Sequence, residues 1–134
     1  MILGNVLDDI GARLNLIKGL HVHNFESDDI NVPAAMLGLP NNIDYSRTYA
    51  RGMDALDLEA YILVSSTEDR VRRNLITPYG DGAGQYSIKD MLENGEYSAF
   101  DTILVSNGRF TTIRIAGIVY LAIVFKIRIT GSGK

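Results

Sequence analysis

A strongly apolar stretch, residues 119–130, reads Val-Tyr-Leu-Ala-Ile-Val-Phe-Lys-Ile-Arg-Ile-Thr. Its odd-numbered positions from Leu121 to Ile129 are all large and apolar, which predicts a β-strand with one face in a core. The even-numbered positions change character along the strand, and they are Tyr120, Ala122, Val124, Lys126 and Arg128. We therefore expect a strand that is apolar on both faces at one end and on one face at the other.

A strand that is apolar on both faces has two explanations. It is either a central strand that its own subunit covers on both sides, or part of a surface that binds another protein. The uncharged run between Arg114 and Lys126 has 11 residues, whereas a membrane-spanning helix needs about 20. We therefore expect a soluble protein.

Periodic patterns earlier in the chain predict one helix and several strands. Apolar residues recur at three- and four-residue steps from Ile2 to Ile17, which indicates an amphipathic helix that Gly19 ends. Polar and apolar residues alternate over 56–64, as in a strand with one wetter face. Strands are expected at residues 21–25, 34–39 and 56–64.

Two Ser-x-x-Asp motifs, which begin at Ser66 and Ser87, have the spacing of helix-capping pairs and predict two further helices. The first of these helices is expected to end at Pro78 and the second near Gly95. The glycine-rich stretch 80–84 between them predicts a mobile connector.

The succession of elements is α-β-β-β-α-α-β-β-β, with the last strands within 103–115 and at 119–130. Strands in blocks with helices between them predict an α+β fold, a largely antiparallel mixed sheet flanked by about three helices. Residues 41–52 are expected to form a hairpin arm or a long loop. We expect a single domain over 1–130 and a flexible tail over 131–134.

Composition excludes several kinds of chemistry. The 134 residues contain no cysteine and two histidines, so a disulfide framework, a thiolate zinc site and a cysteine nucleophile are ruled out. The net charge is −3, divided as −5 over residues 1–66 and +2 over residues 67–134. This balance does not indicate a dedicated nucleic-acid binder. A dipolar chain suits stacking or packing into a ring.

Motifs for catalysis are weak. His21 and His23 lie two apart on an expected strand and face one way, a spacing that suits zinc or nickel, but no third ligand has a recognisable position. The stretch 80–84 lacks the Gly-Lys-Ser/Thr of a phosphate loop, and the chain has no Gly-x-Ser-x-Gly. We therefore expect no enzyme, no cofactor and no metal site. A small metal-dependent hydrolase that uses the two histidines is the alternative from another class.

The densest basic cluster in the chain follows the first capping motif. It consists of Arg70, Arg72 and Arg73. Such a cluster is either a solvated helix face or a contact to phosphates or an acidic partner. A DNA-binding accessory protein is therefore a third hypothesis for the function.

Several stretches in order along the chain form a recognisable series. They are 6–14 followed by 19–22, 32–40 with the Tyr-rich segment after it, 65–73, Asp81-Gly82-Ala83-Gly84 with Ser87-Ile88-Lys89, and Gly117 to Leu121. In this order they resemble stretches of phage tail terminator proteins from long-tailed actinobacteriophages. The fourth is similar to that family's Asp-Gly-x-Gly-x-x-Ser-Val-Lys pattern, and the last resembles its Gly-x-x-Tyr-Leu final strand.

The resemblance implies a structural protein of the virion rather than an enzyme. Such a protein is assembled in the host cytoplasm and forms a homo-hexameric ring at the head-proximal end of the tail tube. The ring stops polymerisation of the tail tube protein and offers a docking surface to the head-tail connector or stopper protein. DNA passes through the lumen without specific binding. Another neck protein, a connector or stopper, is the alternative that the sequence leaves open.

Ring closure and docking require surfaces that contact neighbouring proteins. We expect these contacts in the polar segment 41–52, the basic cluster and the glycine-rich connector. The candidate interface residues are Tyr45, Arg47, Tyr49, Arg51, Arg70, Arg72, Arg73, Asp81, Gly82 and Gly84.

Overall fold

The computed structural model describes residues 2–24, 33–44, 53–65, 76–115 and 117–132. The strands are β1 (His21–Asn24), β2 (Ala34–Leu37), β3 (Asn42–Asp44), β4 (Met53–Ser65), β5 (Thr102–Ile115) and β6 (Ile118–Ser132). The helices are α1 (Leu3–Leu14), α2, of which residues 76–80 are described, and α3 (Ile88–Glu93). This confirms the predicted α+β class.

The six strands form one mixed sheet in the order β1-β2-β4-β6-β5. β1 and β2 are parallel, and every other pairing is antiparallel. β3 lies on the same edge of β4 as β2 does, because β2 pairs with residues 60–63 and β3 with residues 55–57. β4 and β6 are therefore the central strands, and β5 is an edge strand.

The main core lies between the sheet and the helices. Val6, Ile10 and Leu14 of α1 are fully buried against it, at the four-residue steps that place them on one helix face. Leu58 of β4 and Ile127 of β6, which pair directly, lie in the same core. Full burial of such a side chain stabilises the fold by about 1.5–3 kcal/mol. The residues of this core stand at the apolar positions of the predicted amphipathic helix and strands.

The opposite face of the sheet carries a second, smaller core. Tyr120 and Ala122 of β6 and Leu63 of β4 are buried there, and Val124 is buried beside them. The polar half of the same face begins at Lys126, which is exposed. Of the two explanations for the doubly apolar strand, the structure therefore supports a central strand covered within one subunit.

A β-bulge in β5 changes which of its side chains face the main core. Val105 is buried in that core, and an extra residue, Ser106, then interrupts the pairing with β6. After the bulge, even-numbered residues face the helices, so Gly108 lies under the Phe125 ring and Phe110 packs near Ile123. A β-carbon at Gly108 would lie 3.3 Å from the Phe125 ring.

The first helix is shorter than the sequence predicts. α1 ends at Leu14 with Asn15 as its C-cap, well before Gly19. The Ile17 N–H donates to the Leu14 carbonyl at 3.0 Å, a turn that places Ile17 in the core. Gly19 has a φ of 82° and directs the chain into β1, so its role is in the connection rather than the helix end.

The described part of α2 continues past Pro78, which the sequence predicts as its end. Residues 79 and 80 keep helical geometry, because a proline disturbs the hydrogen bond and the carbonyl of the preceding turn and not the residues that follow it. The Asp81 N–H then donates to the Pro78 carbonyl at 3.4 Å and closes the turn.

Residues 42–44 of the segment expected to be a hairpin arm or a long loop form β3, and its antiparallel pairing with β4 agrees with a hairpin arm. Residues 102–115 form a single strand, because the bulge absorbs the change of face. The expected tail is shorter. Gly131 and Ser132, expected in a flexible tail, pair with β4 as the end of β6. None of the helices in the described ranges is long and apolar enough to cross a membrane.

Helix α3 is fastened to the bulge by a glutamate. The Val105 N–H donates to Glu93 Oε2 at 2.8 Å, and Lys89 Nζ lies 2.5 Å from Glu93 Oε1. Burial by itself raises the pKa of Glu93, but the hydrogen bonds from Lys89 and Val105 outweigh it and hold the pKa below its ordinary value of 4.5. The ionised carboxylate therefore stabilises the folded state.

We expect Glu93→Ala to lower the free energy of unfolding by about 1–3 kcal/mol, because the Val105 N–H loses its charged acceptor. Because the pKa of Glu93 is lower in the folded state, the difference from wild type is complete above the unfolded pKa. It shrinks as the pH falls through the folded pKa. Urea unfolding at several pH values measures it.

The control for this prediction is Glu96→Ala, since Glu96 is exposed and lies three residues away. It should change the free energy of unfolding by less than about 0.5 kcal/mol. An equal loss in both variants, or a Glu93→Ala loss that does not decline in acid, would contradict the proposed role of the carboxylate.

Candidate functional site

The predicted interface residues fall into two groups in the structure. Asp81, Gly82 and Gly84 lie together in the loop between α2 and α3, and all three are exposed. The others lie outside the described residues, and they are Tyr45, Arg47, Tyr49, Arg51, Arg70, Arg72 and Arg73. The candidate site that can be built from contacts is therefore the loop of residues 80–87, here called the glycine loop.

The capping serine predicted from the sequence is the centre of the glycine loop. Ser87 is the N-cap of α3, and its Oγ accepts a hydrogen bond from the Asp90 N–H at 3.1 Å. The same hydroxyl donates to the Asp81 carbonyl at 2.5 Å. Ser87 is 0% exposed, and hydrogen bonds in both its donor and its acceptor role offset the cost of burying the hydroxyl. This confirms the predicted cap.

The other end of the glycine loop is fastened by the second residue of the motif. Asp90 Oδ2 accepts a hydrogen bond from the Gly84 N–H at 3.2 Å, and the Ser87 N–H donates to the Gly84 carbonyl at 3.2 Å. Tyr79 and Tyr86 flank the loop with ring centroids 6.1 Å apart in an edge contact. The sequence predicts a mobile connector here. In the structure, these bonds hold both ends of the loop, and residues 81–85 at its tip are exposed.

A second concave surface lies between α1 and the segment that follows α3. It is a groove of about 550 Å³, lined by Asp9, Ala12, Arg13, Leu16, Glu96, Tyr97 and Ser98. Three of its polar groups are already in use. Arg13 Nε donates to the Met91 carbonyl at 2.8 Å, the Tyr97 hydroxyl donates to the Leu92 carbonyl at 2.6 Å, and Asp9 accepts from the Ala99 N–H at 3.2 Å.

These bonds give the groove a structural role, because each joins α1 or Tyr97 to the backbone around α3. Burial raises the pKa of Tyr97, with Arg13 and Asp9 acting in opposite directions. A phenol with a raised pKa stays protonated at neutral pH and remains a donor to Leu92. The groove therefore fastens α1 to α3.

The acidic residues of β4 are paired rather than gathered for a cation. Asp57 Oδ1 lies 2.7 Å from Arg128 Nη1 on the neighbouring strand, and Glu59 accepts a hydrogen bond from the Asn41 side chain at 2.8 Å. His21 is exposed on β1. Over the described ranges, no three histidine, aspartate or glutamate side chains lie close enough together to hold a metal ion.

The edge of the sheet at β5, which pairs with β6 alone among the described residues, was not apparent from the sequence patterns. Leu104 and Phe110 are 52% and 56% exposed there, on opposite faces of the strand. Arg109 and Arg114 are exposed beside them. One signal was present in the sequence, since no acidic residue follows Asp101.

No family model matches the chain, and no curated protein is significantly similar to it.

The two glycines Gly82 and Gly84 of the glycine loop differ in backbone conformation, and we expect substitution to affect them differently. Gly84 has a φ of 120°, a conformation that other residues adopt only with strain, whereas the chain at Gly82 needs no such angle. A β-carbon meets nothing within 4 Å at either position. We expect Gly84→Ala to cost about 1–3 kcal/mol of unfolding free energy.

The matched variant Gly82→Ala should change that free energy by less than about 0.5 kcal/mol. Thermal unfolding of the two variants under identical conditions measures the difference. Equal stability of both variants would show that the conformation of the loop is not fixed at Gly84.

Proposed function

We propose that this chain is a structural virion protein, a tail terminator that forms a ring on the head-proximal end of a phage tail tube. The ring stops polymerisation of the tube protein and then presents a docking surface to the head-tail connector or stopper. DNA passes through its lumen without specific contacts. The proposal rests first on the ordered resemblance of sequence stretches along the chain.

The observation that carries the proposal furthest is the glycine loop. The motif residues that resemble the family have distinct physical roles in it: Asp81 and Gly84 accept from Ser87, and Gly84 supplies the positive φ. Ser87 in turn caps α3. A motif that builds a fastened, solvent-exposed loop suits a contact between proteins, because little conformational entropy is lost on binding.

The experiment is a capping assay with purified tail tube protein. Wild-type protein should bind tube ends and hold tube length constant in electron micrographs, and it should sediment with tubes. Binding to a portal or adaptor protein with no effect on tubes would favour another neck protein. Indifference to tubes and to neck proteins would contradict a role at the head-tail junction.

The carboxylate of Asp81 is exposed on the glycine loop, so a charge reversal at this position can be tested in the capping assay. We expect Asp81→Lys to weaken tube capping by about tenfold or more, because a charge reversal in an interface costs well over 1 kcal/mol. The fold should be kept, since the loop uses the Asp81 carbonyl rather than its side chain. Glu96→Lys, an equal charge change on the exposed segment after α3, is the control and should cap normally.

A further inference from the structure

We propose that Asn107 is a site of spontaneous deamidation in the folded protein, and that the β-bulge of β5 makes it reactive. The inference concerns a covalent change of this chain by water and does not depend on the proposed role in a virion. The Asn-Gly dipeptide occurs twice in the sequence, at 94–95 and at 107–108. The structure holds the first copy in place and leaves the second open to the reaction.

Deamidation of an Asn-Gly pair requires only water. The glycine nitrogen attacks Cγ of the asparagine side chain and forms a C–N bond, while the C–N bond to the side-chain amine breaks. The proton of the glycine N–H passes through solvent to the departing amine, which leaves as ammonia. Water then adds to either carbonyl of the five-membered succinimide and reopens it as aspartate or isoaspartate. Glycine favours the reaction because no side chain hinders the attacking nitrogen, and asparagine is among the thermolabile residues.

The hydrogen-bond pattern of the sheet leaves the Gly108 nitrogen free to react. In β4, the Asp57 carbonyl accepts a hydrogen bond from the Asn41 N–H at 2.8 Å, so the odd-numbered residues of β4 bond away from β6. The even-numbered Ala60 therefore bonds to its partner Phe125, whose backbone groups face β4. Gly108 lies opposite Phe125 on the other side. Its N–H is directed to the outer edge of β5, where no other strand of the described sheet pairs.

The bulge lowers the cost of bringing the two reacting atoms together. A regular extended strand keeps the glycine nitrogen away from the asparagine Cγ, so residues 106–108 must leave the ladder before the bond forms. Ser106 is already unpaired there. Its hydroxyl donates to the Lys126 carbonyl at 3.3 Å, but this bond is exposed. Asn107 and Gly108 are also exposed, so a local opening uncovers little buried surface.

The other Asn-Gly pair is held at both residues. Asn94 is the C-cap of α3, and its Nδ2 donates back along the helix to Asp90 Oδ1. Its backbone N–H donates to the Asp90 carbonyl at 3.2 Å. Gly95 is enclosed, since a β-carbon there would lie 2.7 Å from the Tyr97 hydroxyl and 2.8 Å from Arg13 Nε. Both groups are bonded to the backbone around α3. Opening at Asn94 therefore breaks more contacts than opening at Asn107.

The product changes the charge at the bulge. A new carboxylate at position 107 lies directly opposite Lys126 and two residues from Arg109. The net charge of the chain changes from −3 by one further negative unit, so the deamidated protein separates from the original on an anion-exchange column. An isoaspartate also lengthens the backbone by one carbon and shifts the residues of β5 that follow.

The two Asn-Gly pairs in one molecule give the experiment its internal control. Purified protein is incubated at neutral pH, folded or in concentrated urea, and peptide mapping by mass spectrometry follows both sites. In the folded protein, Asn107 should be converted about tenfold or more faster than Asn94, because its segment opens more readily. In urea, the two rates should agree within about threefold, because no folded contacts distinguish the sites.

Equal rates at the two sites in the folded protein, or a faster rate at Asn94, would overturn the proposal. Conversion of both sites in urea with neither converted in the folded protein would overturn it as well. Asn107→Gln should remove the acidic form that accumulates on the anion-exchange column. The matched variant Asn94→Gln should keep it.

A second pair of variants tests the part played by the bulge. Glu93→Ala removes the acceptor of the Val105 N–H beside the bulge, and we expect the rate at Asn107 to rise about threefold or more. Gly84→Ala, which we expect to lose similar stability at a distance from β5, should leave that rate within about twofold. Equal acceleration in both variants would assign the reaction to global unfolding and overturn the role of the bulge. An unchanged rate in Glu93→Ala would do the same.

Discussion

The antiparallel pairing of β4 with β6 fixes the position of every other element. All 13 residues of β4 pair with β6, from Met53 opposite Ser132 to Ser65 opposite Tyr120. This register places most of the large apolar residues of both strands on the face that the helices cover. A shift of one residue would move all of them to the other face. The two central strands therefore determine where α1 and α3 bind and which strands remain at the edges.

Polar groups then hold the helices at specific points on this sheet. Glu93 satisfies the Val105 N–H where the bulge interrupts the ladder, and Arg13 reaches the Met91 carbonyl from α1. Ser87 satisfies the first turn of α3 and the preceding loop together. Each hydrogen bond satisfies a polar group in the protein interior. Without a partner, such a group would cost about 1–3 kcal/mol. The same kind of bonds hold both ends of the glycine loop.

The apolar surface that suggested a partner in the sequence is not the one that is exposed. The second face of β6 is buried within the subunit, whereas the exposed apolar residues of the β5–β6 hairpin lie at its edge and tip. The edge also carries cationic side chains without acidic neighbours in its own hairpin.

The sequence by itself determined the features that depend on local periodicity. The stripe of α1, the alternation of β4, the two-faced pattern of β6 and the cap at Ser87 follow from side-chain directions along a helix or strand. The parallel β1–β2 pair, the place of β3, the bulge at Ser106 and the bond from Ala99 to Asp9 were decided only by the tertiary structure. They join residues far apart in the chain, or absorb a mismatch between neighbouring strands, and no local pattern encodes which distant group will lie opposite.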